Sequence, residues 1–363
     1  MGICFAKRKK STADIVPQKQ LTTTVRLYGS PSSTNYIRFA LKYKEAAVSL
    51  RCVVVARSND DNDDNDDNDD NDDNDDNDEN DEDYRNLEVA MEVEEGGSSS
   101  EPAERVSGPP NTLLQLMEAR FPHPPLLLQT GSSSETQTTS LVAAVVKLTE
   151  LQHRSLAWHL ERLVRWVMDL LKRPGKGRGG VVDPTVGSAR MELRKLGRNY
   201  SQLLELMLEH AQMEERLLFP IFNYCDPGIC KAANEEHARD LPIMNGIKED
   251  IKSIEVLDIG SRYYKEALSN FSKRLNSLQE RYRQHFTEEE REVLPYMEAA
   301  ELSKEQQQRL LDECLDVMQQ SHSSHLFNFL LEGLLPCEAM HYLDLISMST
   351  NKQRTTSLLH MII

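Results

Sequence analysis

Apolar residues recur at helical spacing through most of the chain from residue 137 onward. LVAAVVKLTELQHRSLAWHLERLVRWVMDLL (141–171) has the 3.6-residue period of an amphipathic helix and stops before RPGKGRGG, a breaker cluster. Two more such runs follow, at 189–222 and 231–254, separated by the turn residues CDPG. A fourth covers 261–302. Four long runs with short connections predict an up-down four-helix bundle over 137–300. The tail, 301–363, reads as two or three shorter helices packed on one end of that bundle.

The pattern before residue 137 is different. Residues 25–28 and 49–55 alternate as strands and 33–43 as a helix, a βαβ start. A further strand is expected at 125–129. The segment 23–135 is therefore read as a small α/β unit, interrupted by disorder over 58–111. The fold class is mainly α.

Charge adds one point. The net charge of −17 comes from NDDNDDNDDNDDNDDNDDNDENDED (59–83), which holds 17 acidic groups. Without them 42 acidic residues face 42 Lys plus Arg, so the rest is neutral. The tract has no apolar residue and predicts a solvated spacer. No clustered basic face suggests nucleic acid. The six cysteines form no CxxC pair, which argues against a thiolate zinc site and for reduced thiols in an intracellular protein.

The leader, residues 1–20, begins MGICFAKRKK. It offers Gly2 for myristoylation, Cys4 for palmitoylation, and Lys7, Arg8, Lys9 and Lys10 as a basic patch. One acyl chain holds a membrane only marginally, and a second signal makes the anchor stable. Ala6 stands where the acylation pattern favours Ser or Thr. The expected location is the cytoplasmic side of the plasma membrane or another endomembrane, otherwise cytoplasm or nucleus.

The candidate chemistry lies in two stretches with one layout. EHAQMEERLLFPIF (209–222) and RQHFTEEEREVLPYM (283–297) place His210, Glu214, Glu215, Arg216 and Pro220 at the same offsets as His285, Glu289, Glu290, Arg291 and Pro295. A histidine and a glutamate at i and i+4 share one helix face. His153 on the first helix and His237 on the third give every helix of the bundle a candidate ligand. His153 lies about 19 residues before the end of its helix and His210 about 22 into the next, roughly 29 and 33 Å. In antiparallel neighbours those depths are level. Imidazole and carboxylate without thiolate suit iron, manganese or zinc. The prolines are expected to end or kink their helices beyond the site. His322 and His325 of HSSH could share a face, with a weaker case for metal.

LQHRSL, EHAQMEERLLFP, EEHARDLP and QHFTEEEREVLP resemble the four helices of the hemerythrin-like (HHE cation-binding) domain. The resemblance implies a non-haem centre of two irons, ahead of zinc or manganese. His153, His210, His237 and His285 would be terminal ligands, Glu214 and Glu289 bridges, and His159 would point elsewhere. Oxygen-carrying members have a second histidine on the third helix where this chain has Leu241, and Glu235 or Glu236 could substitute. The reduced set resembles the iron-sensing domains of ubiquitin ligases, and FNFLLEGLLPCEAMHYLDLI (327–346) resembles the segment after the bundle in the plant ligases. No RING-type cysteine series follows. VRLYGSPSSTNYIRFALKY and PHPPLLL resemble part of the thioredoxin-like lobe of glutathione transferases, without a cysteine in the turn.

The leading expectation is a non-enzymatic module that binds or senses iron or oxygen at a membrane surface, with a protein partner met through the C-terminal helices. The alternatives are an oxidase or peroxidase at the same centre, and a metal-free scaffold.

Overall fold

The computed structural model describes residues 23–29, 31–45, 50–55, 89–94, 104–127, 141–172, 188–320 and 324–362. Gly2, Cys4, the Lys7–Lys10 patch, the acidic tract and His322 lie outside them.

The first unit is a four-stranded sheet with two helices. It runs β1 (Thr23–Tyr28), α1 (Pro31–Glu45), β2 (Leu50–Val55), β3 (Val89–Glu94), β4 (Glu104–Gly108) and α2 (Pro110–Arg120). The strand order is β2-β1-β3-β4, with β1 and β2 parallel and the other pairs antiparallel. Val25 and Leu27 alternate inward on β1, as Val89, Met91 and Val93 do on β3, against Tyr36, Ile37 and Leu41 of α1.

Two expectations are corrected here. β3 and β4 fall inside the stretch read as disordered, 58–111. The Ser/Gly/Pro-rich residues between and after them hid two strands of six and five residues, VAMEVE and ERVSG. The strand expected at 125–129 is not formed over 125–127, and 128–129 lie outside the described residues. The local reason is Lys44, whose fully buried ammonium donates to Glu118 Oε2 at 3.0 Å and to the carbonyls of Phe121 and Pro124. Glu118 also accepts from the backbone N–H of Leu126 at 3.0 Å. These groups satisfy the loop backbone that a sheet neighbour would otherwise have satisfied.

The bundle comprises α3 (Leu141–Lys172), α4 (Ala189–Met213) continued by α5 (Phe219–Cys225), α6 (Lys231–Glu255) and α7 (Arg262–Glu292). Each helix packs on two others: α3 on α4 and α7, and α6 on α4 and α7. Ser188 and Ser261 cap α4 and α7, accepting from the backbone N–H of Met191 and Tyr264. A short α8 (Tyr296–Ala299) closes the bundle.

Four helices follow: α9 (Lys304–Gln320), α10 (Ser324–Glu332), α11 (Pro336–Ser347) and α12 (Lys352–Met361). α9 and α10 pack along α3 and α4, α11 packs on α3, and α12 packs on α10, α11 and α1, so the tail lies along the flank and not on one end of the bundle as expected. The reason is α3 itself. Leu151, Gln152, His153, Ser155, Leu156, His159 and Leu160 are all buried, so the buried arc at mid-helix is wide and only a narrow stripe through Arg154 and Glu161 is exposed. A helix buried over so wide an arc needs partners on more than one side. The α/β unit rests in turn on this layer. Tyr36 Oη donates to Asp344 Oδ1 at 2.9 Å, and Lys42 Nζ to the Ile362 carbonyl at 2.6 Å. No described helix is long and apolar enough to cross a membrane.

Candidate metal centre

The H-x3-E repeat supplies the framework. His210 sits in the last turn of α4, and Glu214 opens a five-residue π-helical turn, Glu214–Leu218. Pro220 explains that turn. A proline has no N–H and its ring collides with the carbonyl four residues back, here Arg216. The helix widens instead, and the Phe219 N–H bonds to the Glu214 carbonyl, five residues back. The second repeat relieves its proline differently. The Glu289 carbonyl accepts from Val293 at 2.9 Å and also from Leu294, just before Pro295, at 3.0 Å, and the helix gives way to a turn over 293–295. Both glutamate carbonyls thus accept an i+5 bond ahead of the proline. Pro220 does not end its helix, which resumes as α5. Pro295 lies in the turn that separates α7 from α8.

All six predicted residues meet in the bundle interior. His153, His210, Glu214 and Glu289 form one group, and Glu214, His237 and His285 a second. Glu214 joins them. Its Oε1 lies 2.9 Å from His210 Nε2 and 3.4 Å from His153 Nε2, while its Oε2 lies 3.6 Å from His237 Nε2. Glu289 Oε2 is 3.5 Å from both His153 Nε2 and His285 Nε2. Each carboxylate therefore faces a histidine of both groups.

The four imidazoles share one orientation. Every Nε2 points inward and every Nδ1 outward to an acceptor. The outer partners are Glu290 for His153 (3.0 Å), Gln152 Oε1 for His210 (2.8 Å), Glu215 for His237 (2.9 Å) and Glu236 for His285 (2.8 Å). An acceptor on Nδ1 places the proton there in the neutral ring and leaves the inner Nε2 lone pair free. Such outer partners are the usual support of metal-bound histidine. The interior is short of donors accordingly. His210 Nε2, Glu214 Oε2 and both Glu289 oxygens are buried without a hydrogen-bond partner. Buried polar atoms are seldom left so, and a cation at their centre would satisfy all of them. The donor set, nitrogen and oxygen with no sulfur, fits iron.

The electrostatics of the metal-free site agree. Burial opposes a charge on His153, but the hydrogen bonds its ring donates to Glu214 and Glu290 and the charge of Glu289 outweigh it and raise the imidazole to about 10. A second proton there stands in for a cation. Burial pulls His210 down to about 4 and lowers His285 also. Burial acts against the Glu214 anion too, yet His210 and His153 hold its carboxyl well below the ordinary range. Burial and the neighbouring Glu214 push Glu289 well above it. Phe286 stacks on His153 with centroids 4.2 Å apart and Phe219 on His237 at 5.9 Å, an aromatic collar around the polar centre.

Residues 144–297 match the family model of the hemerythrin HHE cation-binding domain. The chain carries a hemerythrin domain. No curated protein and no solved structure matches the chain. The hemerythrin domain contains all six predicted residues. His159 points away from its centre, as expected, donating from Nε2 to the Phe329 carbonyl at 2.7 Å. Glu236, considered as a substitute ligand, lies on the outer nitrogen of His285 instead. Glu235 is exposed and 3.9 Å from Lys231. Leu241 is 40 % exposed, so it does not fill the interior in place of the absent histidine. The outer partners Glu215, Glu290 and Gln152 had no assigned role in the sequence. The doubling Glu-Glu in both repeats was the available signal for two of them.

Proposed function

We propose that this hemerythrin domain holds two iron ions. The split of Glu214, with one oxygen toward His153 and His210 and the other toward His237, supports two positions over one. In this reading His153 and His210 serve one position and His237 and His285 the other, with Glu214 and Glu289 across both. Bound there, two irons would supply reversible one-electron chemistry and affinity for oxygen. The protein's own part is to fix the Nδ1 protons of four imidazoles outward, so that each turns Nε2 to the centre, and to exclude water with Phe286 and Phe219. The ligand side chains are at most 8 % exposed. That closure favours a binding or sensing module over an enzyme that must admit substrate at each turnover. Acylation at Gly2 and Cys4, with the Lys7–Lys10 patch, would place the module at a membrane surface.

Anaerobic titration of the full chain with ferrous iron, followed by dialysis and iron analysis, tests the stoichiometry. Two irons per chain, with competition by zinc and manganese only in excess, is the expected result. One iron, or none, overturns the two-iron reading.

A further inference from the structure

The four outer partners are not equivalent. Three are carboxylates at the rim of the site, on the bundle helices or the π turn. The fourth, Gln152 of α3, is 1 % exposed and serves His210 of α4. Its amide nitrogen faces the hydroxyl of Tyr342 on α11, at 3.4 Å. His210 is therefore the one candidate ligand whose orientation is set through the C-terminal helices.

We propose that Gln152 and Tyr342 are positioning residues for His210, and that docking of α10 and α11 on α3 is coupled to metal binding. The inference rests on the metal reading above. A ligating His210 must keep its proton on Nδ1, so Gln152 must present oxygen to it. The NH2 of Gln152 must then face the other way, toward Tyr342. Without that hydroxyl the outer NH2 of the buried amide is left without its acceptor, which weakens the orientation that presents oxygen to His210. Turned over, the amide would donate to Nδ1 and leave the proton on Nε2, where the metal belongs.

The same helices are fixed to α3 by contacts outside the site. Ser155 Oγ donates to the Leu330 carbonyl at 2.7 Å, and Arg154 pairs with Glu338 of α11. Gly333, between α10 and α11, lies hard against Ser155. A Cβ at Gly333 would stand 2.4 Å from Ser155 Oγ and 2.9 Å from its Cα and carbonyl oxygen. Any larger residue must shift this segment or Ser155, and its side chain touches no candidate ligand directly. Coupling is reciprocal, so metal that selects the docked arrangement also strengthens it. The α/β unit belongs to the same chain of contacts, because Asp344, which accepts from Tyr36, lies two residues beyond Tyr342 on α11.

The test uses the full chain. Ferrous affinity is measured anaerobically against a competing chelator for the wild type, Tyr342→Phe, Gly333→Ala, Gln152→Ala and Gln152→Glu. Hydrogen exchange of 326–346 is followed with and without iron. Tyr342→Phe should weaken iron binding about five-fold, the scale of one net hydrogen bond. Gln152→Ala should weaken it about ten-fold or more, and Gln152→Glu, which keeps an acceptor on His210, should restore it. Iron should slow exchange over 326–346 in the wild type and do so less in Tyr342→Phe and Gly333→Ala. Two irons bound with unchanged affinity in Tyr342→Phe, and exchange over 326–346 indifferent to iron, would overturn the coupling and leave the metal reading intact. A wild type that binds no iron would overturn both. Should Gly333→Ala fail to fold, Tyr342→Phe and the two Gln152 variants still decide.

Discussion

His159 provides a prediction that is independent of any metal. The ring is fully buried on the outer side of α3, stacked on Phe329 with centroids 3.7 Å apart. Its Nε2–H is used by the Phe329 carbonyl, and its Nδ1 is buried with no partner. A second proton would be an orphan donor inside the protein, next to the charge of Arg162. Burial, helped by Arg162, depresses the imidazole from 6.5 to about 3. The folded protein thus binds this proton more weakly than the unfolded chain does. Its contribution to stability is complete above about pH 6.5 and is lost as the pH falls from there through about 3. At 1.36 kcal/mol per unit, the whole difference is about 5 kcal/mol, and about 2 kcal/mol is gone by pH 5. His159→Gln keeps a donor for Phe329 and cannot titrate. Urea unfolding of the metal-free chain at about pH 7.5 and about pH 5 should show the wild type losing about 2 kcal/mol more than the variant. Parallel losses in the two proteins would refute the assignment of this acid sensitivity to His159.

Other outcomes follow from the same contacts. Replacing Glu215, Glu236 or Glu290 by Ala should each lower iron affinity by about ten- to a hundred-fold, read by chelator competition, because each orients one histidine. Acid should release the metal, since the imidazoles must be neutral to bind it. Lys44→Met should destabilise the α/β unit by about 3 kcal/mol, because it removes one partner of a buried pair. Faster proteolysis around 121–127 would report that change. Gly2→Ala with Cys4→Ser should move the chain from the membrane to the soluble fraction on flotation, and an unchanged distribution would remove acylation from the account.

The bundle and the two His/Glu pairs were legible because both rest on local spacing, and His153 and His237 because each stands on one of the other two helices. A 3.6-residue period and an i, i+4 pair survive in the sequence whatever surrounds them. The repeated prolines were visible too, but their consequence was not. That Phe219 and Leu294 donate to the carbonyls of Glu214 and Glu289 depends on how the backbone relieves a steric clash. The outer partners were the least legible. Glu290 of α7 serves His153 on α3, and Glu215 after α4 serves His237 on α6, so each link crosses between helices. Gln152 looked like an ordinary helical residue, and its role depends on a tail packed along the flank of α3. The short strands VAMEVE and ERVSG were lost beside a long polar tract, and the apolar run at 125–128 suggested a strand where Lys44 and Glu118 satisfy a loop.

The central claim is that Glu214 stands between two irons, each held by two histidines. Mössbauer spectra and iron analysis of the full chain expressed with iron, beside a His210→Ala/His285→Ala double variant, test it most directly. Two irons per chain with the coupled signature of a bridged pair, lost together in the variant, are the expected result. A single uncoupled iron, or metal retained in the double variant, would contradict it.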